Sequence, residues 1–260
     1  MCSMCYTVYV KFTREEGFAI QVIQWEKLSP SIQIAIDETH RFGTDAFLLE
    51  HFASVRGIDK VCDLCAGCGI IGLLMLRRPR PPQAVTAVEI SPQAVALMQR
   101  TVEASSLAHF SPLQGDLREI RTLLPAHSFR LVTCNPPYFQ AGTGYLCPED
   151  SRRRARHEQE ESCTIGEVCE AAAWLLQYGG RFCLCQRPER LTDVLSAMRQ
   201  AGLEPKRLRW VQQRAGKAPW LFLVEGKAGA KPGLTVEPPL LVENADGSYS
   251  DEMKTIYRIV

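Results

Sequence analysis

The stretch "VCDLCAGCGIIGLLM" (residues 61–75) decides the fold. Its first part is an apolar run typical of a buried strand, and its last part is typical of a helix. Between and within them, Gly67, Gly69 and Gly72 follow G-x-G-x-x-G spacing. Glycine lets the backbone turn sharply and lets a ligand approach it closely. In this strand-to-helix context the spacing predicts a loop that binds a nucleoside cofactor.

Short apolar runs alternate with helical stretches after this loop, which predicts parallel strands joined by crossover helices. Strands are expected at 60–64, 84–90, 110–114, 128–134, 180–186, 206–213 and 219–225, and helices at 70–78, 92–105, 117–124, 164–178 and 189–201. The last two strands follow each other without a helix. The predicted fold is therefore α/β, a doubly wound sheet of seven strands that ends in an antiparallel hairpin.

The two ends of the chain have weaker patterns. Before Gly43, "TVYVKF" and "GFAIQVIQW" alternate apolar and polar residues and predict a hairpin, whereas 28–40 is expected to be helical or irregular. After Lys227, "AGAKPG" indicates a linker. We therefore expect a strand-rich extension (1–40), a main domain (41–227) and a C-terminal tail that packs on it (228–260).

Composition limits the function classes. The formal net charge of the 260 residues is +1, which gives no global reason to expect a nucleic acid or a membrane as partner. No run approaches the ~18 apolar residues that a membrane helix needs. Eleven cysteines in a long chain without an apolar leader indicate buried thiols, with metal binding as the lesser alternative. We expect a cytoplasmic protein without a metal or a membrane contact, and a monomer in preference to an oligomer.

Two acids indicate which cofactor the loop binds. Glu89 ends the next strand, 20 residues beyond Gly69 (89 − 69), where a carboxylate can bind the two hydroxyls of a ribose. Asp63 lies at the strand end that faces the loop, where it would repel the pyrophosphate of a dinucleotide but attract the ammonium and sulfonium of S-adenosylmethionine. Asp116, in "LQGDL", either accepts a hydrogen bond from the adenine amine or caps a helix. The pattern favours S-adenosylmethionine.

The stretch "TCNPPYFQAGTGY" (residues 133–145) follows the fourth predicted strand, at the sheet edge where the glycine loop lies. Its two prolines stiffen the turn and leave carbonyl acceptors, to which Asn135 adds a side-chain carbonyl. The Asn135 side chain and the Pro136 carbonyl can hold both N–H groups of a planar amine while its nitrogen faces a methyl donor. Tyr138 can stack on the flat group. The alternative is a rigid turn that covers the edge of the sheet.

The set "DLCAGCGIIG", "VEIS", "GDL" and "NPPY" resembles class I S-adenosylmethionine-dependent methyltransferases that methylate amines, which have a Rossmann-like sheet. More narrowly, "FGTDAFLLEHFA", "NPPYFQAG", "RARHE" and "GSYSDEMKTIY" resemble the bacterial family that methylates the exocyclic N6 amine of the adenosine beside the anticodon of a valine tRNA. The resemblance covers about residues 40–260 and is weakest over the first forty.

The resemblance implies roles for individual residues. The amine would be held by Asn135, Pro136, Pro137 and Tyr138. The cofactor would be bound by Thr44, Asp45, Asp63, Cys65, Gly67, Gly69, Glu89, Ile90, Asp116, Leu117 and Asn135. A basic segment, "SRRRARHE", would grip the RNA backbone through Arg152, Arg153, Arg154, Arg156 and His157. The alternative, which charge alone favours, is a solvated helical face balanced by the "EQEE" that follows His157. Cys65 and Cys68 depart from the family pattern, because small residues such as glycine are common at these loop positions.

Other functions stay open at this point. A protein glutamine amide can use the same turn as an adenine amine, although enzymes that modify release factors usually carry an N-terminal helical bundle for which the first forty residues are too short and too strand-like. Amino groups of DNA or ribosomal RNA are further acceptors. A module that binds the cofactor without transferring a methyl group is an alternative of another class. A dinucleotide oxidoreductase is disfavoured by Asp63.

Overall fold

The structure is a computed structural model that describes residues 23–136 and 163–259. Its main element is an eight-stranded sheet with the strand order β10-β8-β9-β7-β6-β3-β4-β5. Its strands are β3 (Lys60–Leu64), β4 (Ala84–Glu89), β5 (Phe110–Gln114), β6 (Phe129–Cys134), β7 (Leu176–Gln186), β8 (Leu203–Gln212), β9 (Pro219–Ala228) and β10 (Thr235–Leu241). A separate antiparallel pair is formed by β1 (Gln24–Lys27) and β2 (Gln33–Ile36).

Helices cover both faces of the sheet. They are α1 (Thr44–Ala53), α2 (Ile70–Leu76), α3 (Pro92–Ser105), α4 (Ile120–Leu123), α5 (Ile165–Leu175), α6 (Leu191–Gln200) and α7 (Asp251–Tyr257), with 3-10 turns at Leu117–Glu119 and Pro188–Arg190. One apolar core lies between the sheet and α1, α2, α3 and α7, and a second lies between the sheet and α4, α5 and α6. None of the helices in the described part of the chain combines the length and apolar character needed to span a membrane.

The chain changes direction across the sheet at β3. From β3 it adds β4 and β5 on one side, and then β6 and β7 on the other side, all parallel. Such a reversal of strand order leaves a crevice at the carboxyl ends of the two central strands, where open α/β sheets bind ligands. The glycine loop follows β3 and Asn135 follows β6, so the topology brings the two sequence motifs to the same crevice.

The predicted fold class is confirmed, and the seven predicted strands are present as β3 to β9. β7 and β9 are antiparallel, as are β8 and β9, which gives the expected terminal hairpin. The Ser91 side chain accepts a hydrogen bond from Ala94 N (3.3 Å), and Pro92 stands in the first turn, so α3 begins at the residue that the sequence indicates.

Several boundaries differ from the expectation. β10 is an eighth strand within the segment expected to be a tail. It contains Pro238 and Pro239, which can be accommodated because β10 lies at the edge of the sheet and pairs on one side only, with β8. The expectation that 28–40 is helical or irregular was wrong over 33–36, where β2 pairs with β1. The predicted strand "TVYVKF" lies outside the described residues.

Candidate active site

The glycine loop joins β3 to α2, and its three glycines have different reasons to be glycine. Gly67 and Gly69 have positive φ angles of 55° and 82°. A Cβ on Gly69 would lie 2.8 Å from Phe110 Cζ, and one on Gly72 would lie 2.6 Å from Val85 Cγ1, whereas one on Gly67 would meet nothing within 4 Å. Gly72 therefore allows α2 to pack closely on the sheet. Gly67 leaves the loop open on the side that a ligand can approach.

Glu89 closes the loop from the end of β4. Its carboxylate accepts a hydrogen bond from Gly67 N (2.8 Å, to Oε2) and another from Ser91 N (3.0 Å, to Oε1). These two backbone donors fix the side chain in one orientation. Because each carboxylate oxygen has more than one lone pair, both oxygens can still accept from the hydroxyls of a ribose.

A cavity of about 310 Å³ lies beside the loop. It is lined by residues at or just after the carboxyl ends of β3, β4, β5 and β6 and by residues that precede α1 and α5. Seven of the lining residues are predicted site residues: Cys65, Gly67, Glu89, Ile90, Asp116, Leu117 and Asn135. The other four are His40, Val88, Gly115 and Cys163. The structure thus brings residues from most of the predicted cofactor set to one concave surface.

Asp63 lies in β3 next to this wall and is fully buried. Its Oδ1 accepts a hydrogen bond from Thr133 Oγ1 (2.6 Å), but its Oδ2 is buried without a hydrogen-bond partner among the described residues. Burial raises the pKa of Asp63 from 3.8 to about 7; the Thr133 hydrogen bond opposes this shift and the charge of Glu89 adds to it. An unpartnered buried carboxylate oxygen fits a cationic ligand, because an ammonium group supplies the donors and charge that this oxygen lacks.

Asn135 is held by residues from two other elements. Its Nδ2 donates to Asp45 Oδ2 (3.2 Å), and the Cys185 thiol donates to its Oδ1 at an Sγ–Oδ1 distance of 3.1 Å. A carboxylate can only accept, so Asp45 determines which end of the amide faces it. The Asn135 carbonyl oxygen consequently points away from Asp45 and toward the Cys185 thiol. Pro136, the next residue, is buried.

The start of α1 places Asp45 beside Asn135. Asp45 Oδ1 accepts from Ala46 N (3.0 Å), and a Cβ at position 43 would lie 2.8 Å from this oxygen, so Gly43 gives the side chain room to fold back. Thr44 is hydrogen-bonded instead to the Tyr257 hydroxyl of α7 (2.7 Å). Thr44, Asp45, Asp63 and Gly69 are predicted site residues that do not line the cavity.

Asp116 caps a helical turn, which was one of the two roles that the sequence left open. It caps the 3-10 turn at Leu117–Glu119 by accepting from Arg118 N (2.9 Å), and it also accepts from Arg118 Nε (2.7 Å). The Arg118 side-chain hydrogen bonds lower the pKa of Asp116, so the carboxyl group stays ionised. Because Asp116 also lines the cavity, capping the turn and accepting from a ligand are compatible roles.

Four lining residues were not predicted, and two of them, His40 and Cys163, have side chains that can form hydrogen bonds. His40 Nδ1 lies 3.1 Å from the Asp37 carboxylate, and its Nε2 lies 3.3 Å from Ser91 Oγ, next to Glu89. The only available signal was its position just before "FGTDAF", in a segment expected to be helical or irregular. Pro137, Tyr138 and the basic residues Arg152, Arg153, Arg154, Arg156 and His157 lie outside the described residues, so their roles stay predictions.

Comparisons with known proteins agree with this site. Residues 40–146 match the family model of the methyltransferase small domain. Two solved structures share the fold: a predicted O-methyltransferase from Agrobacterium tumefaciens (TM-score 0.66, 21% identity, 83% of this chain and 96% of that chain) and TYW2 from M. jannaschii in complex with AdoMet (TM-score 0.53, 14% identity, 82% and 89%). The fold and the glycine-loop site define an S-adenosylmethionine-dependent methyltransferase.

The curated relatives narrow this class. The tRNA1(Val) (adenine(37)-N6)-methyltransferase of Tolumonas auensis is 31% identical over 216 residues, which cover 82% of this chain and 86% of the relative. The enzyme of the same name from Bacteroides thetaiotaomicron is 27% identical over 218 residues, which cover 84% and 89%. The chain belongs to the family of the tRNA1(Val) (adenine(37)-N6)-methyltransferases.

Proposed function

We propose that this methyltransferase transfers a methyl group from S-adenosylmethionine to the exocyclic N6 amine of an adenosine in tRNA, the purine beside the anticodon of a valine tRNA. The observation that carries the proposal is the orientation of Asn135 at the edge of the cavity. Its amide is held in one orientation by Asp45 and Cys185, and the residue lines the cavity. The names of the curated relatives support the choice of substrate.

The cofactor would occupy the cavity beside the glycine loop. Glu89 would accept from the ribose hydroxyls and Asp116 from the adenine amine. The buried charge of Asp63 and the carboxylate of Asp45 would favour the cationic methionine end. When bound, S-adenosylmethionine supplies an electrophilic methyl group on a positively charged sulfur.

The residues of the turn would orient the acceptor. Asn135 Oδ1 and the Pro136 carbonyl would each accept one N–H of the target amine, so that its nitrogen lone pair faces the methyl group. The neutral amine does not need to lose a proton before it attacks. Its nitrogen becomes positively charged as it gains the methyl group, which makes its N–H acidic, and water can then take that proton. Tyr138 would stack on the extruded adenine, and the basic segment that follows it would bind the RNA backbone.

Methylation of a protein glutamine amide is the second candidate. The planar amide of glutamine presents two N–H groups as an adenine amine does, and the same pair of acceptors would hold it. The orientation of Asn135 serves both acceptors equally. The identity of the acceptor must therefore be tested directly.

The test is methyl transfer from labelled S-adenosylmethionine to an unmodified valine tRNA transcript, with nucleoside mass analysis of the digest. Wild type should produce N6-methyladenosine. A transcript that carries guanosine at position 37 should stay unlabelled there, because it lacks the 6-amine. Asn135→Ala should lose about 100-fold or more of the rate, whereas Gln200→Ala, at an exposed position at the end of α6, should behave as wild type.

Cofactor binding is measured in parallel by calorimetry. If wild type binds S-adenosylmethionine but leaves tRNA unlabelled, the RNA assignment is wrong and a protein glutamine becomes the acceptor to test. If Asn135→Ala methylates tRNA at the wild-type rate, the turn does not hold the amine.

A further inference from the structure

Two thiols face each other in the wall of the cavity. The sulfur atoms of Cys65, in the glycine loop, and Cys163, just before α5, are 3.8 Å apart. A disulfide has an S–S distance of about 2.05 Å, so the two sulfurs need to approach by less than about 2 Å. Both residues are partly exposed and both line the cavity. This pair joins two segments that are 98 residues apart in the chain.

The surroundings distinguish this pair from the other cysteines of the described residues. Cys134 also lies beside Cys65 but is fully buried, so a soluble oxidant reaches Cys163 more readily. Among the described residues no group of three or more His, Cys, Asp or Glu side chains is arranged to hold a metal ion. Cys65 itself adopts a positive φ of 53°, a conformation that glycine tolerates better, although the resemblance places small residues at this position.

We propose that Cys65 and Cys163 are a modification site, a dithiol that forms a reversible disulfide in the wall of the cofactor cavity and weakens cofactor binding. The proposal rests on the placement of S-adenosylmethionine in this cavity. It does not depend on the identity of the methyl acceptor.

The oxidant is a peroxide. The Cys163 sulfur attacks one oxygen of hydrogen peroxide, the O–O bond breaks, and the thiol proton joins the departing hydroxide as water, which leaves a sulfenic acid on Cys163. The Cys65 sulfur then attacks the Cys163 sulfur, the S–O bond breaks, and the Cys65 proton forms a second water. Two thiols and one peroxide thus give one disulfide and two waters. A dithiol reductant reverses the step.

The reaction is expected to be slow. A hydrogen bond with Cys134 raises the pKa of the Cys65 thiol, and a hydrogen bond with Cys65 raises that of Cys163. Both thiols are therefore protonated at neutral pH, and the thiolate is the reactive form. The site would respond to sustained rather than brief oxidation.

The bond would affect the cofactor through the glycine loop. Cys65 is two residues before Gly67, whose N–H holds Glu89. Drawing Cys65 toward Cys163 fixes the loop to the start of α5 and moves it relative to Glu89. The glycine loop and the Glu89 carboxylate then no longer lie in the positions from which both can contact the cofactor. We expect the affinity for S-adenosylmethionine to fall roughly tenfold or more.

The experiment treats the full-length protein with excess hydrogen peroxide until the reaction is complete, and then maps disulfides by peptide fragmentation. The dissociation constant for S-adenosylmethionine is measured by calorimetry before oxidation, after oxidation and after reduction with dithiothreitol. Two variants are treated in the same way. Cys163→Ser removes one thiol of the pair at nearly constant size, and Cys134→Ser removes the neighbouring thiol. For each variant, the dissociation constant after oxidation is compared with that of its own reduced form.

Wild type and Cys134→Ser should form the Cys65–Cys163 bond and lose affinity on oxidation, and dithiothreitol should restore it. Cys163→Ser should bind S-adenosylmethionine equally well before and after treatment with peroxide. The proposal is overturned if the bond does not form in wild type, if it forms and the affinity is unchanged, or if Cys163→Ser loses affinity to the same extent. Failure of the reduced protein to bind S-adenosylmethionine would instead contradict the placement of the cofactor.

Discussion

Two buried carboxylates, on the strands β3 and β9 of the sheet, have very different surroundings. Asp63, at the carboxyl end of β3, has one hydrogen bond to Thr133 and one buried oxygen without a partner among the described residues. Glu225, in β9, lies 3.4 Å from Arg181 Nη1 and 3.0 Å from Arg207 Nη1. Both acids are nearly inaccessible to solvent.

The surroundings of Glu225 form a network. Arg181 also contacts Asp59 (3.1 Å), and Arg207 also contacts Glu237 (2.6 Å). In such a network each buried charge is offset by charges of the chain itself. At Asp63 the chain leaves one buried carboxyl oxygen without such a partner among the described residues. The difference indicates that Glu225 is stabilised by charges of the chain itself, whereas Asp63 leaves a buried acceptor that a ligand can use.

Removing Glu225 should have the largest effect on stability. Glu225→Ala removes the acid that the partly buried Arg181 and Arg207 share, and removing one partner of a buried ion pair costs up to about 3–5 kcal/mol of the free energy of unfolding. Urea unfolding measures the change. Glu103→Ala, at an exposed position on α3, is the matched control and should change stability little. An equal effect of the two substitutions would show that the network does not stabilise the fold.

Asp63 should make stability depend on pH. Its folded pKa of about 7 lies above the ordinary 3.8, so between these values the folded protein holds a proton that the unfolded chain has released. The free energy of unfolding therefore falls as pH rises through this window, by roughly 1–4 kcal/mol, and levels off above about 7. Asp63→Asn should remove this part of the slope.

Urea unfolding at pH 5 and at pH 8 compares wild type, Asp63→Asn and Glu103→Gln. The exposed Glu103→Gln variant should keep the wild-type slope. Two of the variants also test whether a ligand uses Asp63. Asp63→Asn should weaken S-adenosylmethionine binding, whereas Glu225→Ala should not alter the affinity of the folded protein. Equal slopes in all three proteins would place the titration elsewhere.

Two glycines of the glycine loop show a similar difference between a position that stabilises the fold and one that is open to a ligand. Gly72→Ala puts a Cβ 2.6 Å from Val85 Cγ1, and such overpacking costs about 1–3 kcal/mol. Gly67→Ala meets no neighbour within 4 Å, so its cost comes from the positive φ of 55° and is about 1–2 kcal/mol. Thermal unfolding should rank Gly72→Ala as the less stable variant, and calorimetry should rank Gly67→Ala as the weaker binder per folded molecule. The reverse ranking would exchange the roles of the two glycines.

The sequence predicted the parts of the molecule that depend on local spacing. The glycine loop, Glu89 and the Asn-Pro turn each lie at the end of one strand, and the parallel topology brings such ends together without further information. The N-cap of α3 was predictable for the same reason, because Ser91 and Pro92 act on the residues directly after them.

Contacts between distant residues were not predictable. The ion pair of Arg181 and Asp59 joins positions 122 residues apart, and a single sequence carries no periodic signal for such a partner. His40 and Cys163 reach the cavity for tertiary reasons of this kind. The β10 strand was missed because its two prolines indicate a break, and only its position at the sheet edge makes them acceptable.

The hydrogen bond between Thr44 and Tyr257 joins positions 213 residues apart and gives the smallest expected effect. Tyr257→Phe removes the hydroxyl but keeps the ring, which packs against Phe47 with centroids 5.0 Å apart. Loss of one hydrogen bond should lower the free energy of unfolding by about 1 kcal/mol. Because Thr44 precedes Asp45, which orients Asn135, we also expect methyl transfer to fall, by less than about tenfold.

Tyr249→Phe, at a more exposed ring of the same aromatic group, is the control. A loss of activity without any loss of affinity for S-adenosylmethionine would place the effect at the turn, whereas unchanged activity would show that α7 supports the fold but not the orientation of Asn135.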